Sequence, residues 1–334
     1  MSLVGQRRLS PERLRVRVPA TSANLGPGFD CMGLALELFN EMELQLADAF
    51  SVEIHGASAH LLPTTRDNLV VQAIETVLEY GRATDLSSFR LVLNNDIPIA
   101  SGLGSSASAI VGGLLLGNAL LEHHRPQSVL SLDAVLDMAI ELEGHPDNVT
   151  PALLGGAWLS VPDDTRTRAY PMPVPDSLIF VAAVPNFFLH TEDARSVVPK
   201  TVPLSDAVTN SAQAARLALA LSTGNLSYLH GGFRDTLHEP YRKALIPGMD
   251  EVRQAAMRAG ALLTTLSGAG PSILAWCESE HRAQRVADEI TLAWREFNIE
   301  CFTHLSRTCR IETRVVSAVE NSKEKGENSV EVTG

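Results

Sequence analysis

Pro98-Ile99-Ala100-Ser101-Gly102-Leu103-Gly104-Ser105-Ser106-Ala107-Ser108 joins a strand-like segment to a long apolar run. The glycines permit positive φ and let a ligand approach the main chain closely. Beyond them Ala107, Ile110, Val111, Leu114 and Leu115 recur at helical spacing, which predicts a helix from about Ser105 to Glu122. Free N–H groups in the first turn of such a helix, aided by its dipole, would hold an anion. The hydroxyls of Ser105, Ser106 and Ser108 add donors and metal contacts. Three readings fit these residues. One is a tight loop before a capped helix. Another is a dinucleotide fingerprint, Gly102-x-Gly104-x-x-Ala107, although Glu122-His-His-Arg-Pro follows the helix instead of a second strand ending in an acid. The third is a nucleotide phosphate loop, not of the Walker type, because no lysine follows the last glycine.

Working outward, strands are expected at Leu14 to Val18, Met42 to Leu46, Ser51 to Ile54 and Phe89 to Leu93. Helical spacing predicts helices over Asn68 to Tyr80 and Leu132 to Leu142. Pro162, Pro171, Pro173 and Pro175 mark a domain boundary or a surface crossing. Past them come a buried strand at Leu178 to Val184, a helix from Asp206 to Ser222 stopped by Gly224, and a helix from Met249 to Ala259 stopped by Gly260. Strands at Leu262 to Leu266 and Ser272 to Cys277, a helix from His281 to Phe297, and strands at Cys301 to Leu305 and Arg310 to Val316 complete the pattern. Strands and helices mix in both halves without a strict βαβ rhythm, which indicates an α+β fold. Residues 1–13 and 320–334 have the polar composition of disordered tails.

The 334 residues are enough for two domains, and 45% of them are hydrophobic, so most of the chain should bury a core. A net charge of −12 speaks against a broad nucleic-acid surface. It is compatible with ATP, which main-chain amides and a metal can hold. The most apolar stretch, Ala107 to Leu121, is interrupted by Ser108, Gly112, Gly113, Gly117 and Asn118, and no membrane span is expected. The basic N-terminus has no apolar run behind it, so no secretory signal is read and the cytoplasm is the expected compartment. Cys31, Cys277, Cys301 and Cys309 form no CxxC pair and no zinc spacing, and are expected as reduced core thiols.

Three more segments carry chemistry. Pro19-Ala-Thr-Ser-Ala-Asn24-Leu-Gly26-Pro-Gly28-Phe-Asp30 offers an amide and a carboxylate that can receive an ammonium group. Glu141-Leu-Glu143-Gly-His145-Pro-Asp147-Asn148 crowds acids, an imidazole and an amide at a helix end, a pattern shared with solvated helix ends. Leu266-Ser-Gly268-Ala-Gly270-Pro-Ser272 is a glycine loop between strands, of a kind common in turns. Arg195 and Arg242 suit a carboxylate through their planar forks, although a single arginine is more often a surface ion pair.

Taken in order, these segments resemble the homoserine kinases of the GHMP kinase superfamily, whose ATP signature P-x-x-x-G-L-G-S-S-A is met at every defining position of Pro98 to Ala107. The resemblance covers residues 14 to 318. It implies a two-domain GHMP kinase fold: a ribosomal protein S5 domain 2-like N-terminal domain (14–165) and a ferredoxin-like C-terminal domain (176–318). It implies ATP on Pro98 to Ser108 and Asn68, and Mg²⁺ on Ser106 and Glu143. The short spacer before His145 leaves Glu141 in competition with Glu143. Asn24, Asp30, His145, Thr191, Arg195, Arg242 and Gly268 fall on substrate positions, and Glu143, Asp147 and Asn148 on catalytic ones. Mevalonate kinase, a sister enzyme, pairs an Asp with a Lys as its base; no Lys stands near the first motif here. The implied reaction is ATP-dependent phosphorylation of L-homoserine to O-phospho-L-homoserine in threonine biosynthesis, by a homodimer. The rivals are a GHMP kinase for a sugar, mevalonate or an isoprenoid precursor, an NAD-dependent oxidoreductase, and a non-catalytic binding homologue.

Overall fold

The computed structural model describes residues 13–56, 58–164 and 166–317. The tails expected at 1–13 and 320–334 lie, Arg13 aside, outside the described residues. The alternation Leu14, Val16, Val18 does form a strand with those side chains buried, and the strand runs on through the polar motif residues as β1 (Leu14–Ala23). Its partner β2 (Met32–Leu46) starts ten residues before the expected Met42. Between Pro19 and Ala20 the pairing jumps from Phe39 to Leu36, a bulge where proline has no N–H for the ladder.

β3 (Ser51–Gly56), β4 (Phe89–Asn95), β5 (Ala157–Pro162), β6 (Thr167–Met172) and β11 (Val315–Ser317) complete a seven-stranded sheet. β2 pairs with β5 through its first residues and with β4 through its last, and β3 lies parallel to β4. β11 comes from the far end of the chain to pair with β1. Four helices cover one face: α1 (Leu69–Tyr80), α2 (Ser105–His124), α3 (Leu132–Glu143) and α4 (Pro146–Leu154). α2 is long and apolar enough to span a membrane, yet 67% of its most apolar window is buried inside the protein, as suits a core helix.

The second sheet, ordered β10-β7-β9-β8, is antiparallel and uses β7 (Ile179–Pro185), β8 (Leu263–Leu266), β9 (Ile273–Cys277) and β10 (Cys301–Ser306). α8 (Met249–Ala259) and α9 (Glu280–Arg295) pack on it. α5 (Thr191–Ser196), α6 (Leu204–Thr223) and α7 (Glu239–Arg242) lie between β7 and β8 in the chain. Leu34 and Leu36 of the first sheet share a core with Phe180 and Trp276 of the second and with Leu217 and Leu221 of α6. The two sheets are thus joined through packed apolar side chains. The arrangement is a two-domain α+β fold, as the mixed pattern of strands and helices in the sequence leads one to expect.

The path of the chain differs from the sequence reading in three places. Pro162 and Pro171 sit in a hairpin of β5 and β6, with Pro171 opposite Trp158, while Pro173 and Pro175 lie in the crossing to the second sheet that follows Met172. Residues 310–314 form no strand; Thr313 instead donates its N–H to the Leu153 carbonyl and its hydroxyl to the Ala152 carbonyl at the end of α4. α4 is a helix that the sequence pattern does not show, because it contains Pro151. Proline removes the bond to the Asp147 carbonyl four residues earlier. That carbonyl sits against β2 at Gly33, where a Cβ would lie 1.7 Å from the oxygen. Gly33 therefore sets how closely α4, which carries Asp147 and Asn148, can pack on the sheet.

Candidate active site

α1, α3 and α9 are each closed at the N-terminus by a side chain: Asn68, Ser131 and Ser279 accept from Val70, Ala134 and Arg282. α2 has no such cap. Its N-cap is Gly104 at φ 69°, and its first turn opens into a cavity of about 380 Å³. The loop before it is tied down from the second half of the chain. Ser267 donates its hydroxyl to the Gly102 carbonyl at 2.7 Å, and Ser272 donates its N–H to the Ser101 carbonyl at 3.1 Å. At Gly102, φ is +84° and a Cβ would lie 2.2 Å from the Ser267 carbonyl oxygen, so only glycine allows the two loops to meet.

Ser106, in that first turn, donates its hydroxyl to Glu143 Oε1 at 2.8 Å. Glu143 ends α3, where Gly144 in the left-handed region stops the helix. Burial pushes the Glu143 carboxyl above its ordinary range, partly offset by the His145 charge and the Ser106 hydrogen bond. The structure thereby separates the two glutamates, since Glu141 is exposed and absent from the cavity wall. Asp147 and Asn148 stand at the start of α4, both buried. His145 Nδ1 lies 2.6 Å from Asp147 Oδ1. Burial alone would lower the His145 pKa, but the hydrogen bond and charge of Asp147, with Glu143 and Asp30, outweigh it and hold the imidazolium above its ordinary range. Thr21 donates to Asn148 Oδ1 at 2.8 Å, which leaves the Asn148 NH₂ free to point elsewhere.

The first motif curls through positive φ at Asn24 and Asp30. Asn24 spans the turn, accepting from the Asp30 N–H at 2.9 Å and donating to the Gly268 carbonyl at 2.8 Å. Arg195, from α5, grips Asp30 through both terminal nitrogens at 3.0 and 2.9 Å, and this pairing raises its pKa. Arg242 is buried, and burial together with the charge of Arg195 lowers its pKa. Its Nε donates to the Ala194 carbonyl and its Nη1 to the Gly268 carbonyl.

Asn24, Asp30, Asn68, His145, Asp147, Asn148, Thr191, Arg195, Arg242 and Gly268 all line this one cavity, as do Ile99 to Gly102, Gly104 to Ser106, and Glu143. Four residues of the expected ATP string do not. Leu103 and Ala107 are buried in the apolar cores, because alternate residues of the loop and helix face inward. The Ser108 hydroxyl is occupied by Asn40 and the Ser105 carbonyl. Pro98 accepts the Ser101 hydroxyl through its carbonyl. Asn68 reaches the wall with both ends of its amide engaged, by the Val70 N–H and the Pro63 carbonyl. Sequence reasoning passed over the apolar part of the wall, Leu62, Pro63, Leu69, Val70 and Leu93, because these look like ordinary core and loop residues. It also passed over Asn40, which holds Ile97 and Ser108 in register; an asparagine inside an apolar strand was the available signal. The fingerprint reading of Gly102 to Ala107 lacks its parallel βαβ context, since β4 enters the loop from a largely antiparallel sheet.

Residues 68–156 match the family model of the GHMP kinase N-terminal domain, and residues 209–296 that of the GHMP kinase C-terminal domain. The chain is 42% identical over 288 residues to a homoserine kinase of Nostoc punctiforme, covering 86% of this chain and 92% of that one. It is 40% identical over 287 residues to a homoserine kinase of Moorella thermoacetica, covering 86% and 94%. Among solved structures, a homoserine kinase from Cytophaga hutchinsonii superposes with a TM-score of 0.81 at 31% identity, covering 94% of this chain and all of that one. L. major mevalonate kinase, at 16% identity and a TM-score of 0.67, shares the fold.

Proposed function

The chain belongs to the homoserine kinases of the GHMP kinase family, and from that premise we propose how this cleft transfers the γ-phosphoryl group of ATP to the hydroxyl of L-homoserine. The product, O-phospho-L-homoserine, is an intermediate of threonine biosynthesis. One observation carries the substrate reading: Asp30, Arg195 and Arg242 open into the same cavity as the uncapped start of α2. An amino acid brings an ammonium and a carboxylate, and this end of the cleft holds one carboxylate and two guanidinium groups to meet them. A sugar carries neither charge, and mevalonate lacks the ammonium.

Phosphoryl transfer requires alignment and charge neutralisation more than covalent help from the protein. The amides of Gly102 to Ser106 receive the phosphates, and the apolar wall from Leu62 to Val70 with Leu93 receives the adenine. Among the described residues no cluster of three or more His, Cys, Asp or Glu side chains could hold a metal ion. A site made of Glu143 and Ser106 fits Mg²⁺, an oxygen-seeking ion that takes one carboxylate and fills its remaining places with phosphate and water. Bound there, the ion would neutralise charge on the β and γ oxygens. Asn24 and Asp30 take the ammonium, and Arg195 and Arg242 the carboxylate. Asp147, Asn148 and Thr191 aim the hydroxyl, and Asp147 is itself held by His145. Among the described residues no lysine lines the cavity beside Asp147; in this proposal Asp147 orients the hydroxyl, whose proton passes to the transferred phosphoryl group.

The test is ADP release, coupled to a spectroscopic readout, over a panel of L-homoserine, L-serine, mevalonate and galactose with ATP and Mg²⁺. L-Homoserine should give the highest kcat/KM. A higher value with mevalonate or galactose would overturn the reading.

The expected division at 14–165 and 176–318 shifts with the sheets in this proposal, because β6 up to Met172 and the returning β11 belong with the first domain; the enzyme works in the cytoplasm, where the four free cysteines would stay reduced. It works as a homodimer. The support for that is α6, whose outer face shows Leu204, Val208 and Leu219 at 80%, 62% and 49% exposure, with Ala212 and Ala215 exposed between them. An antiparallel second copy centred on the helix would set Leu204 against Leu219 and Val208 against Ala215. A helix of this length offers a seam about 30 Å long, suited to the apolar centre of an interface.

A further inference from the structure

His238 takes no part in the steps above, yet it is fully buried between the two arms of the substrate end. Its ring stacks on Phe29 with centroids 4.9 Å apart and planes 14° from parallel. Its Nε2 lies 2.8 Å from the Gly26 carbonyl oxygen, and its Nδ1 lies 3.1 Å from Arg242 Nη1. A carbonyl can only accept and a guanidinium can only donate. Both contacts are satisfied only by a neutral ring with its proton on Nε2. The other neutral tautomer would lose both, and an imidazolium would set an N–H against an N–H.

Asp235 is the nearest carboxylate, with Oδ2 3.8 Å from Nε2, too far for a hydrogen bond. Its oxygens already receive the N–H groups of Leu237, His238 and Glu239. Asp235 therefore fixes the backbone from which His238 projects and leaves the ring proton to Gly26.

The consequence falls on Arg242. Nε is taken by Ala194, and Nη1 is shared by Gly268 and His238. Among the described residues, Nη2 is the nitrogen of this side chain left without a protein partner, and Arg242 lines the cavity. We propose that His238, as the Nε2–H tautomer, is a positioning residue that leaves Arg242 Nη2 facing the substrate carboxylate and anchors the Gly26-to-Asp30 turn on which the ammonium contact stands. One ring thus supports both ends of the amino-acid site. The proposal rests on the amino-acid reading of that site.

The test has two arms. In ¹⁵N-histidine-labelled protein, the His238 ring should show a protonated Nε2 and an unprotonated Nδ1 at neutral pH. This needs no turnover, so it stands apart from the substrate reading, which wild-type activity on L-homoserine checks in the same preparation. In kinetics, His238→Ala should raise KM for L-homoserine about tenfold, with KM for ATP changed less than about twofold. His238→Asn places an amide oxygen where Nδ1 stood and should recover most of that loss. A protonated Nδ1 in the wild-type ring would overturn the proposal. So would an Ala variant with unchanged KM for L-homoserine, or variants whose two KM values rise together and which the Asn substitution does not rescue.

Discussion

Arg195 and Asp30 hold each other in a two-point ion pair, Nη1 to Oδ2 at 3.0 Å and Nη2 to Oδ1 at 2.9 Å, at the place assigned to a zwitterionic substrate. The incoming amino acid must exchange with this pair, its ammonium replacing Arg195 at Asp30 and its carboxylate replacing Asp30 at Arg195. Arg195→Ala should therefore raise KM for L-homoserine roughly ten- to a hundredfold while leaving KM for ATP nearly unchanged. Steady-state kinetics with each substrate varied in turn would decide. An unchanged KM for L-homoserine would remove Arg195 from the substrate site.

The Ser106–Glu143 contact should matter through the metal. Glu143→Gln should lower kcat by about 10²-fold or more and raise the Mg²⁺ concentration needed for half activity. Exposed Glu141 makes a control, and Glu141→Gln should stay within about twofold of wild type. A Mg²⁺ titration of both variants at saturating substrates tests the pair. If the two behave alike, the metal is held elsewhere.

Asp147 separates a base from an aligning group. With no lysine on the cavity wall, Asp147→Asn should cost about tenfold in kcat, short of the 10²–10⁴ expected on losing a general base. Single-turnover rates in a quench apparatus would show which range applies.

Glu239 gives a stability test away from the chemistry. It is buried, receives the Leu266 N–H at 2.8 Å and pairs with Arg253 at 2.8 Å. Burial alone would raise its pKa, but the charge of Arg253 acting together with the hydrogen bonds from Arg253 and the Leu266 N–H outweighs it and brings the folded value below the ordinary 4.5. The ionised form is thus favoured by folding. Its contribution is present above the ordinary glutamate range and fades as pH falls through the folded value. Glu239→Gln should cost about 3 kcal/mol at pH 7. The gap to wild type should close in acid, as urea melts at several pH values would show.

The outer face of α6 makes a prediction about mass. Wild type should sediment at twice its 36.0 kDa chain mass, and Val208→Glu with Leu219→Glu should sediment as single chains. A wild-type monomer at micromolar concentration would dismiss the paired-helix arrangement.

The sequence picked out the wall of the cavity better than the path of the chain. Gly102, Ser106, Glu143 and Arg195, which all line it, stand out because their types are unusual together. Strand extent was harder to see. Thr21 and Ser22 are polar by type, yet fully buried, because their hydroxyls find partners in Asn148 and Ser267. Pro151 concealed α4 and Pro171 concealed β6, because a proline argues locally against a ladder that the tertiary setting supports. His238 was visible one residue before the Glu239-Pro-Tyr-Arg242 turn, but its role depends on Gly26, more than two hundred positions away.

The pairing of Leu14, Arg15 and Val16 with Ser317, Val316 and Val315 bears on how the protein is made. The outer edge of β1 finds its mate only about three hundred residues further along the chain, in residues translated well after it. Until then that edge is open to a chaperone or to a neighbouring nascent chain. A chain truncated before Val315 would keep that edge permanently unfilled.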